Sequence, residues 1–467
     1  MTTPLPVGFR LELDATSKQL RDGLWFGGSP PRVIRLTGPG RAAWGELHRH
    51  GVVDRRTGVL ARRLVDAGIA HPVPPAGHSA AVTIVVPAYE RADDLDRCLA
   101  ALGTTHPVVV VDDASADAVR VATVCTDHGA TLVRREVNGG PGPARNTGLE
   151  HVRTPVVAFV DSDCVPPRGW LEPLLAHLAD PLVAAVAPRV TALAGDTWAG
   201  RYTRERSSLD LGEQPARVAP RTRVAYVPTA ALVVRRSALD ELGTAFDETL
   251  RVGEDVDLIW RLHAAGKRVR YDPSVQVPHR EPADWPALLG RRFRYGTSAG
   301  PLARRHRGAL TPLVLHPWPT LAVTAALARR PVVAGAAAMA GAAATARTLH
   351  TADVPTTGLL PAMGRAVQQT FLGVGRYATQ FATPLLIAAL PKRQLRFAAL
   401  ALLLAPPMSA WTASRRRLDP LRYAVGAIAD EVAYGAGVWT GCARARTAAP
   451  LRPVVIWRPL RIDARRS

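Results

Sequence analysis

Two pairs of carboxylates stand where apolar runs end. VVAFV (156–160) leads straight into Asp161, Ser162 and Asp163, and VVVV (108–111) leads into Asp112 and Asp113. Side chains two apart on a strand share a face, and a slight turn after Asp161 would let Asp161 and Asp163 address one hard divalent cation. Such an ion neutralises a diphosphate leaving group. A lone D-x-D is more often a helix cap or a solvated turn, but here the pair does not stand alone.

The segments around these acids tell which elements must hold them. VTIVVPAY (82–89), VVVVDDAS (108–115) and VVAFVDSD (156–163) are continuous apolar runs of the kind buried parallel strands need. Between the first two, DDLDRCLAAL places Leu95, Leu99 and Leu102 on one helix face. Strand–helix alternation predicts an open α/β sheet, whose ligands bind at the carboxyl ends of the strands, where the acidic pairs lie.

The rest of the chain frames this unit. Residues 1–75 carry an extended run, a Gly-Pro-Gly turn (38–40), an amphipathic helix and a second helix stopped by Gly68 and Pro72, which predicts a small winged-helix-like domain. The Pro/Gly-rich stretch HPVPPAGHSAA (71–81) reads as a linker. Residues 82–308 form the α/β domain and 309–467 an Ala/Leu/Arg-rich helical region. In that region PVVAGAAAMAGAAATA (331–346) is short, and FAALALLLAPPMSAW (397–411) is expected to break at Pro406 and Pro407. Neither reaches the ~20 strongly apolar residues of a membrane span. PLLIAAL (384–390), PKRQLR and the 397–411 run together read as a re-entrant or interfacial hairpin flanked by arginine, in peripheral membrane contact, or as a packed helical subdomain, in preference to true spans; the Arg415-Arg416-Arg417 run would suit an anionic leaflet.

Length and composition are those of a globular protein of a few domains: 467 residues, 47% hydrophobic. A formal charge of +20 favours anionic partners, although only three of the 59 basic residues are lysine, so coding bias accounts for the excess equally well. No basic helix with interleaved aromatics, zinc finger or ribonucleoprotein motif occurs, which argues against nucleic acid. Four scattered cysteines form no CxxC pair, and MTTPLPVGFRLELDATSK lacks a charged leader with an apolar core; both point to the cytoplasm.

Five stretches in order, TIVVPAYERADDLDRCLAAL, VVVVDDAS, NGGPGPARNTGLE, VAFVDSDC and GEDVDLIWRLHAAGKRVRYDPSVQVPH, resemble the successive signatures of family 2 glycosyltransferases with the Rossmann-like GT-A fold. The resemblance spans residues 82 to about 280. It implies a nucleotide-sugar donor and a divalent metal, Mg2+ or Mn2+, either of which suits a carboxylate site. It places Pro87, Ala88 and Tyr89 around the base, Asp113 with Asp112 on the uracil, and Gly140, Arg145 and Asn146 against the nucleotide and ribose. Asp163 becomes a direct metal ligand, with Asp161 nearer the ribose and sugar, and His279 matches a position where some members place another metal or diphosphate contact. Inverting transfer needs a carboxylate to take the acceptor's proton; Asp255 matches that role, Glu254 helps place the acceptor, and Asp257 reads as a helix N-terminal charge. RRFRYG (291–296) resembles a degenerate (Q/R)xxRW motif, with Arg291, Arg294 and Tyr295 at the basic and aromatic positions. Arg294 would face the diphosphate, while Arg292 reads as solvated.

GLWFGGSPPRVIRLTGPGRAAWGEL with LARRLVDAGIAHPVPP resembles PqqD-type domains, which recognise precursor peptides. Together with the arginine-rich tail, the arrangement resembles the glycosyltransferases of the mycofactocin system. That resemblance implies a peptide-derived redox cofactor precursor as acceptor, UDP-glucose as donor and a β-1,4-linked glucose chain. Two other readings remain open: a transferase acting on a polysaccharide or polyprenyl-phosphate acceptor, and a peptide-binding adaptor, against which the retention of Asp163 and Asp255 speaks. A nucleotidylyltransferase would need a glycine-rich basic loop near the first strand, which is missing.

Overall fold

The computed structural model describes residues 3–414, 418–457 and, as backbone, 461–463. Near the N-terminus, β1 (Arg10–Leu13) pairs antiparallel with β5 (Ala70–Val73), and β2 (Lys18–Arg21), β3 (Leu24–Gly27) and β4 (Arg32–Arg35) form an antiparallel meander. Helices α1 (Gly38–His50) and α2 (Arg55–Ala67) close over a core of Trp25, Ile34, Leu47, Leu64 and Ile69. Gly38-Pro39-Gly40, expected as a turn, is instead the first turn of α1. The Thr37 hydroxyl accepts from the Gly40 N–H at 3.3 Å, and a proline costs nothing where no intrahelical N–H partner exists. The second helix starts at a reciprocal Asp54–Thr57 cap and stops at Gly68, which has φ +73°, as its sequence predicts.

The following unit runs β6 (Val82–Ala88), α3 (Ala92–Leu102), β7 (Val108–Asp113), α4 (Ala118–Asp127), β8 (Thr131–Arg135), α5 (Pro141–Glu150), β9 (Val156–Val160), α6 (Leu171–Ala176), β10 (Val183–Leu193), α7 (Trp198–Glu205), β11 (Ala216–Val218), β12 (Ala231–Arg235), α8 (Arg236–Asp240), α9 (Glu254–Ala264) and β13 (Arg268–Arg280). The eight strands lie in the order β11-β13-β10-β12-β9-β6-β7-β8. The half built from β9, β6, β7 and β8 is parallel, as the continuous apolar runs predict; β12 enters antiparallel between β9 and β10, so the sheet is mixed. From β6 the chain proceeds outward to β7 and β8, then returns to β9 on the other side of β6. Ligands of such sheets sit beyond the strand ends at this reversal.

The N-terminal unit is clamped to the starts of β10 and β13. Arg62 and Asp180, both almost fully buried, form two hydrogen bonds of 2.7 Å, and Asp66 pairs with Arg268 at 2.7 Å. The far end of β13, where His279 lies, is roughly 30 Å away at ~3.3 Å per residue along the neighbouring β10.

Seven helices follow: α10 (Trp285–Thr297), α11 (Ala299–Arg305), α12 (Pro317–Leu327), α13 (Pro331–Thr351), α14 (Leu359–Ala389), α15 (Arg393–Ala413) and α16 (Pro420–Arg444). Helices α10 and α16 meet backbone to backbone: a Cβ on Gly296 would lie 2.2 Å from the Tyr434 carbonyl oxygen, and one on Gly437 2.0 Å from that of Phe293. Asp430 on α16 accepts from the Tyr202 hydroxyl at 3.0 Å and pairs with Arg292, so Arg292 is an internal tie and not a solvated charge. The region, mainly helical as expected, also contributes β14 (Val314–Leu315), paired with β15 (Val454–Val455), and β16 (Arg461–Asp463), which adds parallel to β4 of the N-terminal sheet.

Two expectations for the apolar segments are corrected. Helix α13 is 21 residues long, and α15 runs unbroken through Pro406 and Pro407. It does so against α14 at Gly375, where a Cβ would sit 2.7 Å from Pro406 and 2.8 Å from the Leu402 carbonyl oxygen, so close packing holds the proline-containing turn. By length and composition both helices could cross a membrane, and with only 22% and 17% of their apolar windows buried neither is a core helix. The Arg415–Arg417 run lies outside the described residues.

Candidate active site

Strand β9 ends in five buried residues, and the chain then turns tightly: the Cys164 N–H donates to the Asp161 carbonyl at 3.0 Å. The turn is stitched to the end of β13, with Val165 donating to Pro278 at 2.8 Å and Arg280 donating to the Asp163 carbonyl at 2.9 Å. This pairing brings His279 to the acidic pair. One ligand atom each of Asp161, Asp163 and His279 lie within 4.8 Å of one another, and His279 Nε2 is 3.2 Å from Asp163 Oδ1. Burial would raise the Asp163 carboxyl, but the His279 imidazole and the Arg91 guanidinium, 3.6 Å away, more than offset it and hold it below the usual range.

Arg145 on α5 connects this cluster to a second one. Its buried guanidinium donates to Asp161 Oδ1 at 2.6 Å and to Glu254 Oε1 at 2.9 Å. Burial would lower its pKa; the two carboxylates raise it overall, so the positive charge is secure. Glu254 and Asp255 open α9 behind Gly253, whose φ is +85° and whose Cβ position lies 2.8 Å from Ser298, a place only glycine fits easily. Asp255 is partly buried. Burial and the adjacent Glu254 carboxylate push its pKa up to about 7, against the Val256 N–H and Arg145. Asp257 lies in the first turn of α9, where a helix N-terminal charge was expected; it is buried and pairs with Arg261 at 2.7 Å and His306 at 2.8 Å, tying α9 to the chain after α11.

The remaining predicted residues divide. Tyr89 is exposed at the end of β6, and Pro87 lies on that strand beside Val111. Asp112 and Asp113 are buried and serve the protein: Asp112 accepts from Ser115 N at 3.0 Å and Arg134, Asp113 from Gly139 N at 3.1 Å, Gly140 N at 2.7 Å and Arg135. Asn146 bonds the Phe246 backbone from both ends of its amide, at 2.8 and 3.0 Å, which fixes the segment it shares with Gly140 and Arg145. Arg294 is exposed on α10. Its neighbour Arg291, one turn back, is the arginine that faces inward, onto the buried Glu281 and the Tyr295 ring.

Several members of the site escape sequence reasoning. Glu281, two residues beyond His279 on the same strand face, accepts from Ser207 at 2.7 Å, and its Oε1 lies 3.9 Å from His279 Nδ1. Arg91 and Glu90 adopt φ of +54° and +56°, and Glu90 joins the loops after β6 and β7 through Ser115 and Ala116, at 2.7 and 2.9 Å. Consecutive left-handed non-glycine residues persist only where their surroundings enforce them. The four cysteines are buried free thiols, and burial raises Cys98 and Cys164 beside the cluster, which removes them as nucleophiles.

Residues 83–243 match the model of "Glycosyl transferase family 2". Over 470 aligned residues, covering 97% of this chain and 99% of the relative, the sequence is 38% identical to a pre-mycofactocin glycosyltransferase of Mycobacterium tuberculosis. The chain belongs to this glycosyltransferase family. A succinoglycan biosynthesis protein, ExoO, of Rhizobium meliloti is 33% identical over 42% of this chain and 59% of its own. Among solved structures, a mannosyltransferase of Pyrobaculum calidifontis in complex with GDP-Man and Mn2+ is similar over 71% of this chain and 88% of its own, with 20% identity and a TM-score of 0.39. The protein is therefore a glycosyltransferase: a family 2 domain on a mixed sheet, with a helical C-terminal region.

Proposed function

We propose that this enzyme is an inverting GT-A transferase that moves glucose from UDP-glucose to a peptide-derived redox cofactor precursor and extends it as a β-1,4 chain. The observation that carries the chemistry is the Asp161–Arg145–Glu254 bridge, which sets a metal-type cluster and a raised carboxylate, Asp255, on either side of one guanidinium.

Two carboxylates and an imidazole suit Mg2+ or Mn2+, and His279 turns its Nε2 toward the acids, 3.2 Å from Asp163 Oδ1, so Asp161, Asp163 and His279 fit a divalent cation. When bound, such a cation neutralises diphosphate charge. Asp255 receives the proton of the acceptor hydroxyl as that oxygen attacks the anomeric carbon, and a carboxylate pushed toward neutrality is a stronger base than an ordinary one. Arg145 holds Glu254 in place beside it, at 2.9 Å. The loop of Tyr89, Glu90 and Arg91 lines the donor side.

The acceptor assignment rests on the near full-length match with the mycobacterial relative and on a PqqD-like reading of the N-terminal unit. That unit carries a groove of about 670 Å³ between β4, α1 and α2, lined by Ile34, Leu36, Val59, Leu60 and Arg63. Asp66 both lines the groove and pairs with Arg268 at the start of β13, so a peptide held there is carried by the same rigid sheet that ends in the catalytic cluster. A nucleotide-sugar donor and free thiols support a cytoplasmic location. The reading is tested by comparing small-molecule extracts of the native host with and without the gene. A hexose ladder on a small peptide-derived core, lost with the gene, is expected; loss confined to lipid or wall glycans refutes the acceptor.

A further inference from the structure

The tip of the α14–α15 hairpin is an exposed apolar surface whose purpose the transferase chemistry leaves unexplained. Helix α14 kinks at Ala382 before Pro384, and the chain reverses at Leu390–Lys392 into α15. Leu386, Ala399 and Leu403 pack inside the hairpin. On its outer side Leu385 is 73% exposed, Ile387 56%, Phe397 55% and Leu395 48%. Phe397, Leu400 and Leu404 follow helical spacing, and Ala401, Ala405 and Met408 join them around an open apolar hollow of about 340 Å³. The hairpin thus has an internal seam and a second apolar face that none of the described residues covers.

Charge identifies the occupant. Lys392, Arg393 and Arg396 crowd the reversal, and between Asp353 and Asp419 the sequence contains eight basic residues and no acidic one. A two-fold pairing with a second copy would set these cations against each other across a self-complementary patch. An anionic lipid surface answers both features at once: apolar side chains enter the acyl boundary, and Lys and Arg reach the headgroups.

We propose that the α14–α15 tip docks the enzyme on an anionic membrane surface, as an inserted hairpin and not a span. Spanning is opposed by anchorage. The far end of α15 belongs to the catalytic body, where Ala410 and Trp411 pack against the Tyr202–Tyr423 cluster and the Trp411 indole N–H donates to the Leu418 carbonyl at 2.9 Å. Only the part around Leu385–Leu404 is free to enter lipid. Docking this close to the body leaves the donor cluster on the aqueous side.

The test is sedimentation of the full-length protein with vesicles of phosphatidylcholine alone or with about a third phosphatidylglycerol, at ~0.1 M and ~1 M salt. Binding to the anionic vesicles is expected, weakened by salt, with little binding to phosphatidylcholine. Replacing Lys392, Arg393 and Arg396 with Gln should weaken it roughly hundredfold. Leu400→Asp with Leu404→Asp should abolish it while donor hydrolysis stays at the wild-type level. Because a double variant can misfold, Phe397→Trp gives an independent readout: its fluorescence should be quenched by brominated acyl chains. Unquenched emission, or binding indifferent to the Leu substitutions, overturns the proposal and leaves a generic effect of net charge. Self-association lost on the Leu substitutions, without lipid binding, assigns the face to a second copy and overturns it too.

Discussion

Asp255→Asn should make this enzyme more stable and almost inactive. The wild-type carboxyl is moved from 3.8 to about 7, chiefly by burial and by Glu254. A folded-state pKa raised by about three units means that ionised Asp255 costs the fold up to about 4 kcal/mol, an upper bound. The sign follows from linkage. Below the unfolded value both states are protonated and nothing is lost; as pH rises from about 4 to 7 the unfolded chain sheds the proton first, and above about 7 the full cost is present. Asparagine keeps an oxygen for the Val256 N–H, 2.7 Å away in the wild type, and never carries the charge. Thermal unfolding of both proteins between pH 4 and 8 should therefore show a gap that opens with pH in favour of the variant. In parallel, turnover should fall about 10²–10⁴-fold with donor affinity retained, and wild-type kcat/KM should rise through an apparent pKa near 7. A variant that is equally stable at all pH values, or less stable at pH 8, refutes the account of a buried, repelled carboxylate; unchanged turnover removes Asp255 from the base role.

Other substitutions probe the surrounding groups. Asp163→Ala should weaken metal-dependent donor binding by ~10–100-fold or more, measured by calorimetry with and without Mn2+, and equal affinity would remove it from the metal set. Arg145→Gln strands two carboxylates and should destabilise the protein by about 3 kcal/mol, the lower end for a broken buried pair because Asp161 is partly open to solvent; an unchanged melting temperature would contradict the bridging role. Arg63→Glu, in the N-terminal groove, should raise the KM for the peptide-derived acceptor and leave donor hydrolysis alone, and equal loss of both would reduce that unit to a structural part.

The catalytic half of the molecule is legible in the sequence because buried parallel strands write themselves as runs of valine, and acids at their ends mark the ligand side. VVVVDD and VVAFVDSD state strand, polarity and site together. The antiparallel entry of β12 is not written this way, since ALVVR reads the same in either direction. Partners set by folding are also hidden. Asp112 and Asp113 look like free acids until Arg134 and Arg135, directly opposite them on the neighbouring strand, are seen beside them. Arg294 and Arg291 differ by three positions in one helix, and only the packing of α10 on α16 decides which one turns inward. Pro406 and Pro407 mislead because a breaker rule scores the isolated helix and not the glycine on the neighbouring one that accommodates it.

The central claim meets its most direct test in a reconstituted reaction: purified enzyme, Asp255→Asn alongside, UDP-glucose, Mg2+ or Mn2+, and the peptide-derived precursor, followed by mass spectrometry of the acceptor. The account predicts metal-dependent addition of successive hexoses by the wild type and none by the variant. An acceptor that stays unmodified while a polyprenyl phosphate or glucan primer is glycosylated, or transfer undiminished by Asp255→Asn, would contradict it.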